Sequence, residues 1–290
     1  MTIFGLATVV VACVHTNQIE MKENHPLSMP EAPYAYEFRS LCLSVPNYTT
    51  WLVEKLLGKM PAPAGPPVEF IRVPTVESLE AAAQIVRGAS FIVNATGLGS
   101  QDLREVRDKS LYPIRGQTVL VNAPRFRDEN VARCINFTNG SHTVYVIPRA
   151  RTGHVILGGT FDAKVSSPML PNPAVTERIL KDTVSRMPEL LPNGVDASTP
   201  DAWRKVDVIS VNVGIRPARE GGARVELDPK PLSVDGRTVG VIHAYGIGVY
   251  MLTRSRRLPD QLRNRSRSLP TRRRVARSRP CAFVARDTKA

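Results

Sequence analysis

The sequence predicts a mixed α/β chain in which an α/β nucleotide-type layer and an antiparallel sheet layer are interleaved. Three observations predict this. Ser90–Ala95 is a continuous apolar run of the kind buried on both faces of a parallel sheet, with Gly97 and Gly99 just beyond its carboxyl end. Thr143–Pro148 and His154–Thr160 read as an antiparallel hairpin across Arg149–Gly153. Val45–Leu57 and Thr176–Met187 carry apolar residues at helical spacing.

Taken in order, Met1–Tyr36 is expected to be irregular, with prolines at Pro26, Pro30 and Pro33. Leu52, Val53, Leu56 and Leu57 define the apolar stripe of the first helix. Pro61–Pro67 is a loop, Val68–Val73 a strand, and Thr75 the cap of a short helix through Ile85. A strand through Val119–Val121 precedes the hairpin. The second helix ends before Pro188, and strands follow at Val206–Arg216 and Thr238–His243. No internal repeat is visible.

The formal net charge of +13 is unevenly distributed. Residues 249–290 hold 13 of the 39 Lys and Arg but 2 of the 26 Asp and Glu, so +11 sits in that segment. The body is close to neutral. The basic tail has no interleaved aromatics for base stacking and no amphipathic spacing, so it is expected to be disordered rather than a nucleic-acid arm. The four cysteines are scattered, without zinc-ligand spacing, and suit reduced thiols. Ile3–Val14 is shorter than the ~20 residues that cross a bilayer. No Lys or Arg precedes it, so a buried strand is expected there rather than a cleaved signal, and no membrane partner.

The residue with most chemical content is Arg216, at the end of an apolar strand. Alternation puts Val211, Val213 and Ile215 on one face and Asn212, Gly214 and Arg216 on the other. A guanidinium there calls for an anion. That anion is either an internal carboxylate, such as Glu220 or Glu226, or a ligand carboxylate gripped through two parallel hydrogen bonds. Tyr145 in the hairpin faces the same choice between an ordinary half-buried tyrosine and a ligand contact. Gly158 and Gly159 in the facing strand leave room for a ligand against the backbone. His243 ends a strand with no visible carboxylate partner and reads as structural.

An ordered set of segments sharpens these choices: SLCLSVPNY from Ser40, VNATGLG from Val93, PIRGQTVLV from Pro113, YVIPR from Tyr145, VILGGTFD from Val155, VNVGIRPAR from Val211 and VIHAYGIG from Val241. Together they resemble the flavin-dependent D-amino-acid oxidase family, including D-aspartate oxidases, over about residues 37–248. The resemblance implies FAD as cofactor, a D-amino acid and dioxygen as substrates, and a 2-oxo acid, ammonia and hydrogen peroxide as products. It assigns the substrate carboxylate to Tyr145 and Arg216. Phe161 falls where many fungal members carry a second tyrosine, so an apolar wall replaces a hydroxyl. It assigns the flavin to Thr96, Gly97, Gly99, Arg115, Gly116, Gln117, Gly246 and Gly248, and no acid or base to the protein. It also implies a peroxisomal location, cytoplasmic otherwise, and allows a homodimer.

The chain departs from the family pattern in two places. No G-x-G-x-x-G occurs in the 290 residues, and the sequence after Gly248 does not continue the family's glycine turn and helix. The expected organisation is therefore an irregular segment 1–36, an oxidase-like region 37–248 with its substrate sheet at about 119–205, and a basic tail 249–290. Both ends read as truncated relative to the family, and weak FAD binding is expected. The readings from other classes are a catalytically inactive fragment, a basic binding protein, or a D-aspartate oxidase or related flavin amine oxidase. A second substrate-facing arginine, Arg149 or Arg151, would favour acidic substrates.

Overall fold

The computed structural model describes residues 44–59, 68–128, 134–139, 142–149 and 152–248, with short strands at 11–12, 20–23, 34–37, 41–42 and 282–285. In chain order the elements begin with β1 (Val11–Ala12), β2 (Glu20–Glu23), β3 (Tyr34–Glu37), β4 (Leu41–Cys42), α1 (Val45–Leu56) and β5 (Glu69–Arg72). Next come α2 (Leu79–Ile85), β6 (Phe91–Asn94), β7 (Leu111–Asn122), β8 (Ile135–Asn139), β9 (His142–Pro148) and β10 (His154–Gly158). The series ends with β11 (Asp162–Ala163), α3 (Pro173–Arg186), β12 (Asp207–Arg219), β13 (Arg224–Leu227), β14 (Leu232–Val234), β15 (Arg237–Tyr245) and β16 (Ala282–Ala285). The chain divides into two compact units, Met1–Val45 with Ile114–Arg216, and Pro46–Pro113 with Pro217–Ala290.

The first unit is built on a six-stranded sheet ordered β11-β7-β10-β9-β8, with β12 also paired to β7. The β9–β10 hairpin sets Tyr145 opposite Gly158, and β10 against β7 sets Gly158 opposite Thr118. One face carries Val119, Val121, Val146, Val155 and Leu157, which close on Ile179, Leu180 and Val184 of α3. That burial holds the sheet flat on its helix; each fully buried aliphatic side chain contributes about 1.5–3 kcal/mol. Asn172 caps α3, its Oδ1 accepting from the Ala174 and Val175 amides, and Pro173 occupies the first turn. The helix therefore starts three residues before the expected Thr176. The opposite face carries Gly116, Thr118, Tyr145 and Gly158.

In the second unit β15 pairs antiparallel with β13 and β14 and parallel with β6. The parallel register sets His243 opposite Asn94, so β6 and β15 end side by side. Leu79, Leu103 and Val241, and separately Ala83, Val234 and Val239, form its buried clusters.

Four expectations are revised. The short helix begins after Ser78, not Thr75: the Ser78 hydroxyl accepts from the Ala81 amide, and the Glu105 carboxylate takes the Leu79 and Glu80 amides at 2.8 and 3.2 Å. That carboxylate comes from 25 residues away, beyond the reach of a local cap rule. The substrate sheet extends beyond 119–205 because β7 starts at Leu111 and β12 runs to Arg219. Within 1–36, expected as irregular, β1, β2 and the start of β3 are strands; β3 reads Tyr-Ala-Tyr-Glu, rich in strand-favouring aromatics. Within 249–290 the backbone of β16 pairs in parallel with β5, and its sequence Ala-Phe-Val-Ala is a short apolar run in a polar tail. The rest of that tail, like Ile3–Val10, lies outside the described residues.

Candidate active site

Two of the expected ligand-binding side chains meet in the first unit. β12 delivers Arg216 so that its guanidinium lies over Gly116 of β7; a Cβ on Gly116 would come 2.6 Å from Arg216 Cζ. The Tyr145 ring lies over Gly158 and Gly159, where a Cβ at Gly159 would stand 2.6 Å from the Tyr145 hydroxyl. Three glycines thus clear the floor on which an arginine and a tyrosine rest. The Arg216 charge lies close enough to the Tyr145 hydroxyl to act on it, and Arg216 Nη1 donates to the Thr160 carbonyl at 3.4 Å. Burial pushes the Tyr145 hydroxyl above its ordinary pKa, more than the nearby Arg216 charge pulls it down, so it stays a protonated donor.

No carboxylate pairs with Arg216 among the described residues. Glu226, one internal candidate, is held by Arg224 at 2.7 Å. A guanidinium whose partners among the described residues are a carbonyl and a neighbouring phenol keeps its charge uncompensated by them, which is the condition for recruiting an anion.

Phe161 follows Thr160 and is 52% exposed. Arg115 and Gln117, expected near the flavin, direct their side chains elsewhere. Arg115 is 5% exposed; its Nε and Nη2 donate to the Pro168 and Leu170 carbonyls at 2.7 and 2.8 Å, and its Nη1 lies 3.4 Å from Asp162. Gln117 Nε2 donates to the Asn172 carbonyl and the Thr176 hydroxyl, while its Oε1 accepts from the Asn172 amide. Both side chains pin the segment between the hairpin and α3. Their partners lie 47–59 residues ahead, so no local signal in the sequence could have shown this. Gly116 between them lies beneath the Arg216 guanidinium.

The second unit holds Thr96, Gly97, Gly99, Gly246 and Gly248. Gly97 has φ +60° and Gly246 φ +70°, backbone that favours glycine, and a Cβ at Gly246 would come 2.7 Å from Arg219 Cβ. The two glycine turns follow neighbouring parallel strands, β6 and β15, beyond their carboxyl ends. In open α/β sheets ligands bind at that place. The turns are held from beneath by a buried polar network. Asn94 Nδ2 donates to Ser100 at 3.1 Å and to His243 Nδ1 at 3.2 Å, and Thr96 donates to Asn94 Oδ1 at 2.9 Å. His243 Nε2 lies 2.9 Å from Asp228. Burial lowers the His243 pKa below its usual value, so the ring is neutral. With Nδ1 accepting from Asn94, the proton sits on Nε2 and is donated to Asp228. His243 thus has the structural place read from the sequence, with a carboxylate partner the sequence did not reveal. The network continues through Arg224, Tyr245, Asp108 and Arg219.

The family model for FAD dependent oxidoreductases matches residues 22–255. A D-amino-acid oxidase of Schizosaccharomyces pombe is 33% identical over 221 residues, covering 74% of this chain and 55% of that protein. A D-amino-acid oxidase of Fusarium vanettenii is 30% identical over 231 residues, covering 78% and 58%. A D-aspartate oxidase of Cryptococcus neoformans var. grubii is 30% identical over 267 residues, covering 80% and 65%. The chain therefore spans little more than half the length of the first two relatives. The glycine turns of the second unit fit part of the FAD that gives this family its description, and Thr96, Gly97, Gly99, Gly246 and Gly248 are the residues that would hold it there. With a family model spanning most of the sequence and relatives aligned across three quarters of it, the chain belongs to the D-amino-acid oxidase family of FAD dependent oxidoreductases.

Proposed function

We propose that the chain carries the substrate-recognition machinery for oxidative deamination of D-amino acids: D-amino acid, dioxygen and water give 2-oxo acid, ammonia and hydrogen peroxide. The observation that carries this reading is the meeting of Arg216 and Tyr145 over glycines, with no carboxylate on the arginine among the described residues. FAD, when bound, supplies the acceptor for the hydride that leaves the substrate Cα. The protein's own part is orientation. Arg216 takes the carboxylate through its fork, and the Tyr145 hydroxyl donates to the same group. Two attachment points on the carboxylate leave the Cα–H direction defined, which is the entropic part of catalysis. No side chain of this pair needs to abstract a proton from carbon.

A neutral substrate side chain fits this floor better than an acidic one. Arg149, offered by the sequence as a second cation, lies opposite His154, which pairs with Asn122. Asn122 is six residues along β7 from Gly116, a separation of about 20 Å at the rise of a strand. The two carboxylates of D-aspartate cannot bridge it. Arg151 lies outside the described residues. Peroxisomal location and a homodimer belong to the same proposal, supported by family resemblance alone; organelle fractionation and sedimentation test them.

The direct test is to express residues 1–290, add FAD, and measure bound flavin and peroxide release with D-alanine and D-aspartate. The reading expects D-alanine to be the better substrate. Because the 290 residues contain no G-x-G-x-x-G, flavin affinity is expected to be weak, and activity to rise with added FAD. No peroxide release with either substrate at any FAD concentration, together with no binding of either, would overturn the reading.

A second prediction concerns the floor. Gly116→Ala is expected to displace the end of the Arg216 side chain, which is flexible, and not the backbone. Melting temperature should stay near that of the wild type while carboxylate affinity falls at least tenfold. Calorimetry with D-alanine and a thermal melt check both halves.

A further inference from the structure

Thr118 lies between the two side chains of the carboxylate pair. It is two residues from Gly116 on the same face of β7, and directly opposite Gly158 in register. Arg216 lies over the first glycine and Tyr145 over the second. Opposed residues in an antiparallel pair have Cβ positions about 4.5–5.5 Å apart. A Cβ on Gly158 would itself meet Tyr145 Cζ and the hydroxyl oxygen, so Thr118 and the Tyr145 hydroxyl flank the same glycine on one face of the sheet.

Thr118 is 4% exposed, and its Oγ1 has no hydrogen-bond partner. Next to it on the same strand, Gln117 satisfies its amide hydrogen, its Oε1 and its Nε2. An unbonded buried hydroxyl is rare and costs stability that a valine of the same shape would not. A residue that weakens the fold in one arrangement of its neighbours is explained if it is used in another.

The second arrangement follows from what a substrate does to the pair. The Arg216 guanidinium, over Gly116, and the Tyr145 ring, over Gly158 and Gly159, act on one another. A carboxylate entering the fork claims the guanidinium N–H groups, and the Tyr145 O–H turns to the same carboxylate. The Tyr145 oxygen is then left in need of a donor. We infer that Thr118 is a positioning residue whose hydroxyl donates to the Tyr145 oxygen when a substrate carboxylate occupies Arg216. Thr118 does not touch the substrate; it holds the tyrosine ring in the orientation in which its O–H meets the carboxylate. The inference rests on the reading of Arg216 and Tyr145 as the carboxylate site.

The test uses the full chain with FAD added and D-alanine as the probe, in wild type, Thr118→Val, Thr118→Ser, Tyr145→Phe and the Thr118→Val/Tyr145→Phe double variant. Binding is read by calorimetry, the fold by thermal melts, and KM and kcat by peroxide release. Thr118→Val is expected to weaken D-alanine about three- to tenfold, the size of one hydrogen bond. KM should rise with kcat nearly unchanged, and the melting temperature should hold or rise. Thr118→Ser should restore binding. In the Tyr145→Phe background Thr118→Val should add nothing, because the oxygen it serves is gone. Wild-type binding by Thr118→Val, or the same loss with and without the tyrosine oxygen, would overturn the inference. Failure of the underlying reading looks different: wild type takes up no D-alanine, or its binding survives Arg216→Ala. Either result removes the pair that Thr118 serves and overturns the inference with it.

Discussion

Arg216→Ala is expected to abolish most carboxylate recognition, with a loss in kcat/KM worth about 2–5 kcal/mol, or roughly thirtyfold to several thousandfold. The guanidinium supplies both the charge and the fork, and Tyr145 alone offers a single neutral donor. Arg216→Lys is expected to recover only part, because a point charge cannot reproduce two parallel hydrogen bonds. Steady-state peroxide release with D-alanine, beside calorimetry on the same variants, checks this. Near-normal activity of Arg216→Ala would remove the carboxylate role. The fold should be little affected, since among the described residues the hydrogen bond lost is the 3.4 Å one to the Thr160 carbonyl.

Asp108→Ala is expected to have the largest effect on stability, about 3 kcal/mol, because it strands a half-buried arginine and a buried phenol. Asp108 Oδ2 accepts from Arg219 Nε and from the Tyr245 hydroxyl, both at 2.8 Å, and Oδ1 accepts from the Ser110 amide at 3.0 Å. Burial pushes the carboxyl pKa up, but these bonds and the Arg219 charge outweigh it and bring the pKa to about 2 from an ordinary 3.8. A carboxyl whose folded pKa is depressed stabilises the fold above its unfolded pKa. That contribution, about 2 kcal/mol, is lost as pH falls from about 4 to about 2. Urea melts between pH 2 and pH 6 should show this slope in the wild type and a flatter one in Asp108→Asn. Equal slopes would mean that other carboxylates govern the acid limb. The linkage reaches the cofactor side as well, because Arg219 also packs beneath Gly246.

Much of the local structure was legible. The helix expected at 45–57 is α1 at Val45–Leu56, and the strand expected at 68–73 is β5 at Glu69–Arg72. The hairpin came out one residue early at β9 and two residues short at β10. These signals are periodicities of side chains only a few positions apart, so they survive without knowledge of the fold. The pairing of Tyr145 with Arg216 was legible as a resemblance between motifs; Gly158 and Gly159 were read as room for a ligand, and the Tyr145 ring takes that room instead.

The long-range pairings were not legible. Arg115 and Gln117 stand beside Gly116 in one motif, yet their side chains serve a segment 47–59 residues ahead, and the glycine lies beneath Arg216. Asp108 and Tyr245 are 137 residues apart and no spacing rule joins them. By itself the sequence determined the helices, the hairpin, the apolar face of β12 and the family. Only the tertiary structure decided which arginine keeps an uncompensated charge, where the His243 proton sits, and which buried hydroxyl is left without a partner. The physical reason is that propensity and periodicity act within a few residues. The partner of a buried polar group is chosen by sheet register, and register is settled by the burial of a whole face at once.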